Sequence, residues 1–230
     1  MEKGSVAIVT GASSGLGLEI SLQLASAGLL IVGIARRTPT DNRWKDLEAK
    51  GSVKFFMGDV SNPEVVKNAI STARSLGDYK LLINCAGQGV FGATTSYTKD
   101  DIDTVLSGNL VGLILFCTNS IEHFMLNHGT IVNVMSTASQ VGRSNETIYC
   151  AAKWGARGYT EALRIELKGK PLRLLAVYPG GIRTPFWTNA KGHNVNPEKF
   201  MDPKEVAEAI ISALAQNRSA QVTDLIINRG

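Results

Sequence analysis

The chain is poor in the features that would commit it to a membrane, a disulfide scaffold or a polyanion. Its 230 residues contain no continuous apolar run of the roughly 18 residues that a bilayer span requires. Cysteine is scarce: Cys85, Cys117 and Cys150 are odd in number and sit in apolar surroundings. They read as reduced thiols, and the expected compartment is cytoplasmic. Met1-Glu2-Lys3-Gly4 passes directly into the strand-like Ser5–Thr10, which is too short for the apolar core of a signal peptide. Twenty-four basic residues against 20 acidic ones give a net charge of +4, and no five like charges run together. A nucleic-acid footprint is therefore unsupported, and a bound phosphate-bearing anion accounts for the mild excess equally well. The three histidines are His123, His128 and His193, a spacing that does not suit a shared metal, and none is expected. Asp100, Asp101 and Asp103 read as capping and charging a helix N-terminus. Repeats, low-complexity tracts and linkers are missing.

Apolar strand-length runs do recur, separated by helical stretches. Strands are expected at Val6–Thr10, Leu30–Ile34, Val53–Met57, Leu81–Asn84, Thr130–Val134, Leu172–Val177 and Val222–Ile227. These runs are continuous rather than alternating, as befits strands covered on both faces. Helices are expected near 15–27, 63–76, 101–126, 149–168 and 203–216, with Asn62-Pro63 and Asp202-Pro203 as N-cap and first helical residue. The polar segment 36–50 has room for a short helix. The fold class is α/β: one domain over 1–230, with a doubly wound, parallel seven-stranded sheet and helices on both faces. The long polar stretch Phe186–Phe200 interrupts the alternation and is expected to be a mobile lid.

Strand Val6–Thr10 runs into Gly11-Ala12-Ser13-Ser14-Gly15-Leu16-Gly17 and then a helix. In a first strand–turn–helix unit, Gly11 permits the tight turn, Gly15 lets a pyrophosphate approach the backbone, and Gly17 lets the helix pack closely on the sheet. The free amides of the helix N-terminus face the anion, which makes this a Rossmann-type dinucleotide site. A protein selecting NAD usually ends its second strand with a carboxylate. Here the strand ends Ala35-Arg36-Arg37, with no acid until Asp41. Two guanidiniums grip a 2′-phosphate, so the expected cofactor is NADP(H).

Tyr149 is the only one of five tyrosines with a lysine, Lys153, four residues on. That spacing sets phenol and ammonium on one helix face, where the cation favours phenolate. Ser136 follows the fifth strand, at the sheet edge where ligands gather, and its hydroxyl is placed to hold a substrate oxygen. Thr137 and Ser139 are rival hydroxyls. Further turn signals fall after the fourth strand, Asn84-Cys85-Ala86-Gly87, and after the sixth, Pro179-Gly180-Gly181-Ile182-Arg183-Thr184.

Taken with Asp59 and Asn109, these pieces resemble the short-chain dehydrogenase/reductase (SDR) family along essentially the whole chain. The resemblance implies that the glycine turn binds pyrophosphate and that Asp59, with Val60 beside it, contacts adenine. It implies that Asn84, Ala86 and Gly87 line the adenosine ribose side and support the central strand. Tyr149 would be the general acid/base, and Lys153 would lower its pKa and hold the nicotinamide ribose. Ser136 would position the carbonyl, and Asn109 would anchor a water in a proton relay. Ile182 and Thr184, in the turn that opens at Pro179 and Gly180, would meet the carboxamide. Cys85 stands where many members carry a second asparagine. The last expected strand ends near the end of the chain, so 186–200 would do most of the work of closing the substrate site.

The implied protein is an oxidoreductase moving hydride between NADP(H) and a small carbonyl or alcohol, such as a ketone, diketone or 3-oxo compound. An NADP(H)-binding regulator without chemistry is the alternative, and the complete Ser136, Tyr149, Lys153 and Asn109 set argues against it. A sugar-nucleotide epimerase would need a larger substrate domain. Residues 88–97, 137–147 and 186–200 are expected to line the substrate pocket, with Arg143 or Lys191 as its possible charges. The helix around Asn109–Leu126 is apolar on much of its circumference, and in this family it forms a dimer face with the Tyr149 helix. A homodimer or homotetramer is expected, with no nucleic-acid or membrane partner.

Overall fold

The strand carrying the glycine turn lies third in a seven-stranded sheet, beside its middle strand. The computed structural model describes residues 2–193, 195–215 and 220–230. Its strands are β1 (Val6–Thr10), β2 (Leu30–Ala35), β3 (Val53–Met57), β4 (Tyr79–Asn84), β5 (Thr130–Val134), β6 (Arg173–Pro179) and β7 (Asp224–Ile227). They are ordered β3-β2-β1-β4-β5-β6-β7, and each neighbouring pair is parallel. The order reverses between β1 and β4, which opens a crevice beyond their carboxyl ends, the general ligand position of such sheets.

The strand periodicity of two divides the core into two layers. Ala7, Val9, Ile31, Ile83, Val132 and Val177 face α1 (Gly15–Ser26) and later the C-terminal helix; Val6, Ile8, Val32, Leu82, Ile131 and Ala176 face the other side. Each fully buried Ile, Val or Leu contributes roughly 1.5–3 kcal/mol by leaving water. Unlike the central strands, the edge strands β3 and β7 expose part of their apolar sequence.

The polar segment 36–50 forms α2 (Asn42–Ala49), capped by Asp41, whose side chain accepts from the Arg43 amide at 2.8 Å. Next comes α3 (Pro63–Leu76), where Asn62 accepts from Glu64 N at 2.9 Å. The expected helix 101–126 is not one helix. It begins earlier, at a Thr98/Asp101 capping box, as α4 (Lys99–Leu106). It then widens into a π turn over Ser107–Val111 and continues as α5 (Gly112–Asn127). Gly112 lies against Val60, so close that a Cβ would meet it at 2.5 Å. Such single π turns inside α-helices are frequent at functional sites, and this one carries Asn109.

The helical rod Lys99–Asn127 has an 18-residue window of mean hydropathy 1.5, enough by length and composition for a membrane span. It packs with α3 and with α6 (Thr147–Glu166) over the sheet. The stretch 186–200 contains the short helix α7 (Pro185–Asn189) and a 3₁₀ turn, Pro197–Lys199. The final helix is α8 (Pro203–Leu214), capped by Asp202 and packed on α1. Its expected last residue, 216, lies outside the described residues, as does 194 within the expected lid.

Gly17 is where α1 passes over the strand end: a Cβ there would sit 2.4 Å from the Gly11 carbonyl oxygen, a main-chain atom. We expect Gly17→Ala to cost about 1–3 kcal/mol through overpacking. Urea unfolding measures it, and a loss below about 0.5 kcal/mol would contradict the close approach.

Candidate active site

The glycine turn has the geometry of an anion cradle. Gly11 (φ +73°) and Gly15 (φ +57°) are left-handed, a region that disfavours side chains. A Cβ on Gly11 would lie 3.0 Å from Ala86 Cα, and one on Gly15 2.9 Å from Thr184 Cβ. Ser14 is the N-cap of α1, yet its side chain makes no capping bond, and no acid lies in the first turn. The amides and the positive end of the helix therefore face the crevice together with Ser13, Ser14 and Leu16. Thr10 Oγ1 ties the two halves of the crevice together, accepting from Cys85 N and Ala86 N at 3.0 Å each.

At the end of β2, exposed Arg36 and Arg37 line the same cleft, and Arg37 Nη1 donates to Asn189 Oδ1 of α7 at 3.3 Å. The nearest acid along the chain, Asp41, is occupied. It accepts from Arg43, which also pairs with Glu19 at 2.6 Å, and the Arg43 hydrogen bond holds its carboxyl below the ordinary range. Asp59 and Val60 line the cleft after β3, and Asp59 Oδ1 accepts from Ser61 N and Oγ at 2.8 and 2.7 Å. Asn84 is the exception among the sequence-derived positions. Its side chain turns into the core, donating to Asn133 Oδ1 at 2.9 Å and towards Cys117 Sγ. It braces β4 against β5 and does not line the cleft, because Asn84 and Asn133 are directly opposed in the sheet.

The chemical end of the cleft is built on β5, the π turn and α6. Ser136 lines it in extended conformation and accepts from Ala138 N at 3.1 Å. The rival hydroxyls face elsewhere: fully buried Ser139 donates to the Ser136 carbonyl, and Thr137 accepts from Arg143 at 2.6 Å. Tyr149 and Lys153 converge, with Lys153 Nζ 5.8 Å from the phenol ring centroid. Lys153 is 5% exposed and donates to the Val134 carbonyl at 3.2 Å. Burial pulls its ammonium down to about 8. The phenol moves the other way. Burial pushes Tyr149 above its ordinary value, the Ser136 hydroxyl opposes this, and the Glu146 carboxylate adds to it. This corrects the expected lowering by the paired ammonium: desolvation of the phenolate dominates, and Lys153, 5.8 Å from the ring centroid, is not among the groups that move the phenol.

Asn109 completes the group. Its Nδ2 donates to the carbonyls of Gln88 (2.7 Å) and Val105 (2.8 Å), and its buried Oδ1 has no partner among the described residues. A Cβ on Gly87 would lie 2.8 Å from that Oδ1 and 3.6 Å from Lys153 Nζ, so Gly87 leaves the space in which the two meet. From β6, Pro179, Gly180, Ile182 and Thr184 also line the cleft.

Aromatic rings wall the far side. Phe91 stacks on Trp187 at 5.8 Å and meets Tyr149 edge-on at 5.6 Å; Phe186 lies 5.8 Å from Tyr149. Trp187 is fixed by Nε1 donating to the Ile182 carbonyl at 3.0 Å. Lys191 is held by Asp101 at 2.9 Å. Glu146 and Asn189 also reach the cleft; both lie in segments expected to line the substrate pocket, 137–147 and 186–200, but neither is singled out by the sequence. Glu146 lies three residues before Tyr149, a helical spacing that could have drawn attention to it. Asn189 carried no such signal. The left-handed glycines, the α1 N-terminus that faces the crevice and the Asn109 Oδ1, which has no partner among the described residues, fit a nicotinamide dinucleotide.

Comparison with known proteins gives the same direction. A family model described as short chain dehydrogenase matches residues 5–194. An uncharacterized oxidoreductase of Staphylococcus aureus is 27% identical over 224 residues, covering 96% of each chain. A sepiapterin reductase of Chlorobaculum tepidum is 28% identical over 234 residues, covering 96% of this chain and 95% of its own. A solved actinorhodin polyketide ketoreductase with NADPH superposes with a TM-score of 0.84 at 27% identity, covering 98% and 95%. Other solved neighbours of this fold hold NADP+ or NAD.

The buried ammonium has a consequence for stability. Its folded value of about 8 lies below the ordinary 10.5, so the stability it contributes is present above 10.5 and lost as pH falls through 8. Without nucleotide, the stability difference between wild type and Lys153→Met should shift in favour of wild type as pH rises from 8 to 10. Thermal unfolding of the two proteins over that range is the check; parallel curves would place the ammonium in water.

Proposed function

The chain belongs to the short-chain dehydrogenase family, and from that premise we propose that it is an NADP(H)-dependent oxidoreductase. It interconverts a small carbonyl compound and its alcohol, with Tyr149 as general acid/base. The observation that supports this most is the meeting of Ser136, Tyr149, Lys153 and the Asn109 Oδ1 at one end of a cleft whose other end is a glycine turn.

The glycine turn and α1 N-terminus hold the pyrophosphate, Asp59 and Val60 flank the adenine, and Arg36 with Arg37 hold the 2′-phosphate. Lys153 holds the nicotinamide ribose, and Ile182 and Thr184 lie beside the carboxamide. The bound nucleotide supplies or takes up the hydride. The protein's own groups manage the oxygen and its proton. Ser136 and Tyr149 donate hydrogen bonds to the carbonyl oxygen, where negative charge develops. Burial keeps the phenol protonated at neutral pH, so it is ready to donate during reduction. The Lys153 ammonium then steadies the phenolate, and its own value of about 8 lets it pass a proton on near neutrality. The Asn109 Oδ1 accepts in that relay.

Preference for NADP(H) is supported by the paired arginines and by the engagement of Asp41 and Glu19 with Arg43. The proposal extends to assembly. Leu126 of α5 and Ile165 of α6 are each 77% exposed, and Trp154 is 46% exposed. A second copy would cover this apolar face in a homodimer or homotetramer.

Tyr149→Phe should abolish NADPH oxidation with carbonyl substrates yet leave the NADPH dissociation constant within a few-fold; retained turnover would refute the role given to the phenol. Arg36→Asp should shift the kcat/KM ratio for NADPH over NADH by about ten- to a hundredfold towards NADH, the worth of a charged hydrogen bond of ~1.5–3 kcal/mol. An unchanged ratio would remove the basis for NADP(H). In the oxidative direction kcat should still be climbing as pH passes 10, because the phenolate is required and burial raises the phenol above its ordinary value; a flat profile argues against a titrating phenol.

A further inference from the structure

Resting on the oxidoreductase reading, we propose that Glu146 selects the substrate, favouring carbonyl compounds with a hydrogen-bond donor, a hydroxyl or an ammonium, on the carbon beside the carbonyl. Glu146 occupies the N-cap position of α6 but does not cap it. Among the described residues its carboxylate accepts no hydrogen bond and pairs with no cation, although it is half-buried in the cleft wall. Partial burial already raises this carboxyl above its ordinary range, and a donor from a ligand would offset the lost hydration.

The neighbouring groups leave that part to a ligand. Arg143 is exposed and donates to Thr137, so it acts on Glu146 only as a through-space charge and forms no ion pair with it; Lys191 is clamped by Asp101. Phe186 and Trp187, which also line the cleft, present hydrocarbon, and the Trp187 Nε1 is already given to the Ile182 carbonyl.

Reach sets where the donor must lie. Glu146 stands at the N-cap of α6 and Tyr149 at its third helical position, the two positions whose side chains meet in a capping box, and both line the cleft. The carboxylate also acts electrostatically on the phenol, so the two groups share one end of the cleft. With the carbonyl oxygen on Tyr149 and Ser136, a donor one carbon away falls to Glu146. A site built on a buried polar group rejects the analogue that lacks its partner far more strongly than a hydrocarbon pocket rejects an extra methylene.

The test compares hydroxyacetone, aminoacetone and methoxyacetone as substrates of the full chain with NADPH, for wild type, Glu146→Gln and Glu146→Ala. Wild type should prefer hydroxyacetone and aminoacetone over methoxyacetone by about tenfold or more in kcat/KM, mainly through KM. Glu146→Ala should bring both ratios to within about twofold of one. Glu146→Gln keeps an acceptor but no charge, so it should retain much of the hydroxyl preference and lose that for the ammonium. NADPH binding, read by fluorescence, verifies that each variant is folded. If an alanine variant fails that check, the glutamine variant and the wild-type ratios carry the test. A wild type that oxidises NADPH but shows no preference for the donors, or favours methoxyacetone, overturns the role of Glu146 and leaves the oxidoreductase reading standing. No NADPH oxidation with these or a wider set of carbonyl compounds removes that reading and this inference together.

Discussion

The cleft is organised around a cation that water barely reaches. Lys153 Nζ is held by the carbonyl of Val134 at the end of β5, and its neighbours are arranged to tolerate it. Gly87 must lack a Cβ because Asn109 Oδ1 occupies that space, and Asn109 reaches it because a π turn widens the helix at that point. The same burial acts in opposite senses on two groups whose ordinary values nearly coincide, lowering the ammonium and raising the phenol. Environments that push paired titratable groups apart are what separate proton donor from proton acceptor. Between these two, the lysine gives up its proton first.

The nucleotide end rests on a different kind of constraint, which is steric. Gly11, Gly15 and Gly17 each leave room for another part of the chain: Ala86 beside the first, Thr184 over the second, and the Gly11 carbonyl under the third. The turn therefore joins β1, β4 and the segment after β6 into one wall. Charge enters only at its rim, where Arg43 draws Asp41 and Glu19 together and leaves Arg36 and Arg37 beside the cleft.

Much of this was readable from the residues. β1, β3 and β5 fall on their expected bounds because continuous apolar runs between turn signals have few alternatives. The turn motif, the Tyr149–Lys153 spacing and Ser136 all lie where the parallel topology puts ligand residues. The failures share a cause. Spacing along a chain does not say which way a side chain faces when the sheet supplies a partner, so Asn84 was placed in the cleft although Asn133 draws it inward. Nor does it reveal a π turn, which differs from α-helix by one hydrogen-bond register. The balance between desolvation and a nearby charge on Tyr149 depends on packing that only three dimensions provide.

Asp101 has two attachments. It closes the capping box that starts α4, accepting from Thr98 N at 3.0 Å, and it grips Lys191 on the segment that carries the aromatic wall. The start of the rod that carries Asn109 and the far bank of the cleft are thus tied through one carboxylate. Loss of that single carboxylate would undo both attachments at once, the cap on the inner bank and the ion pair on the outer one.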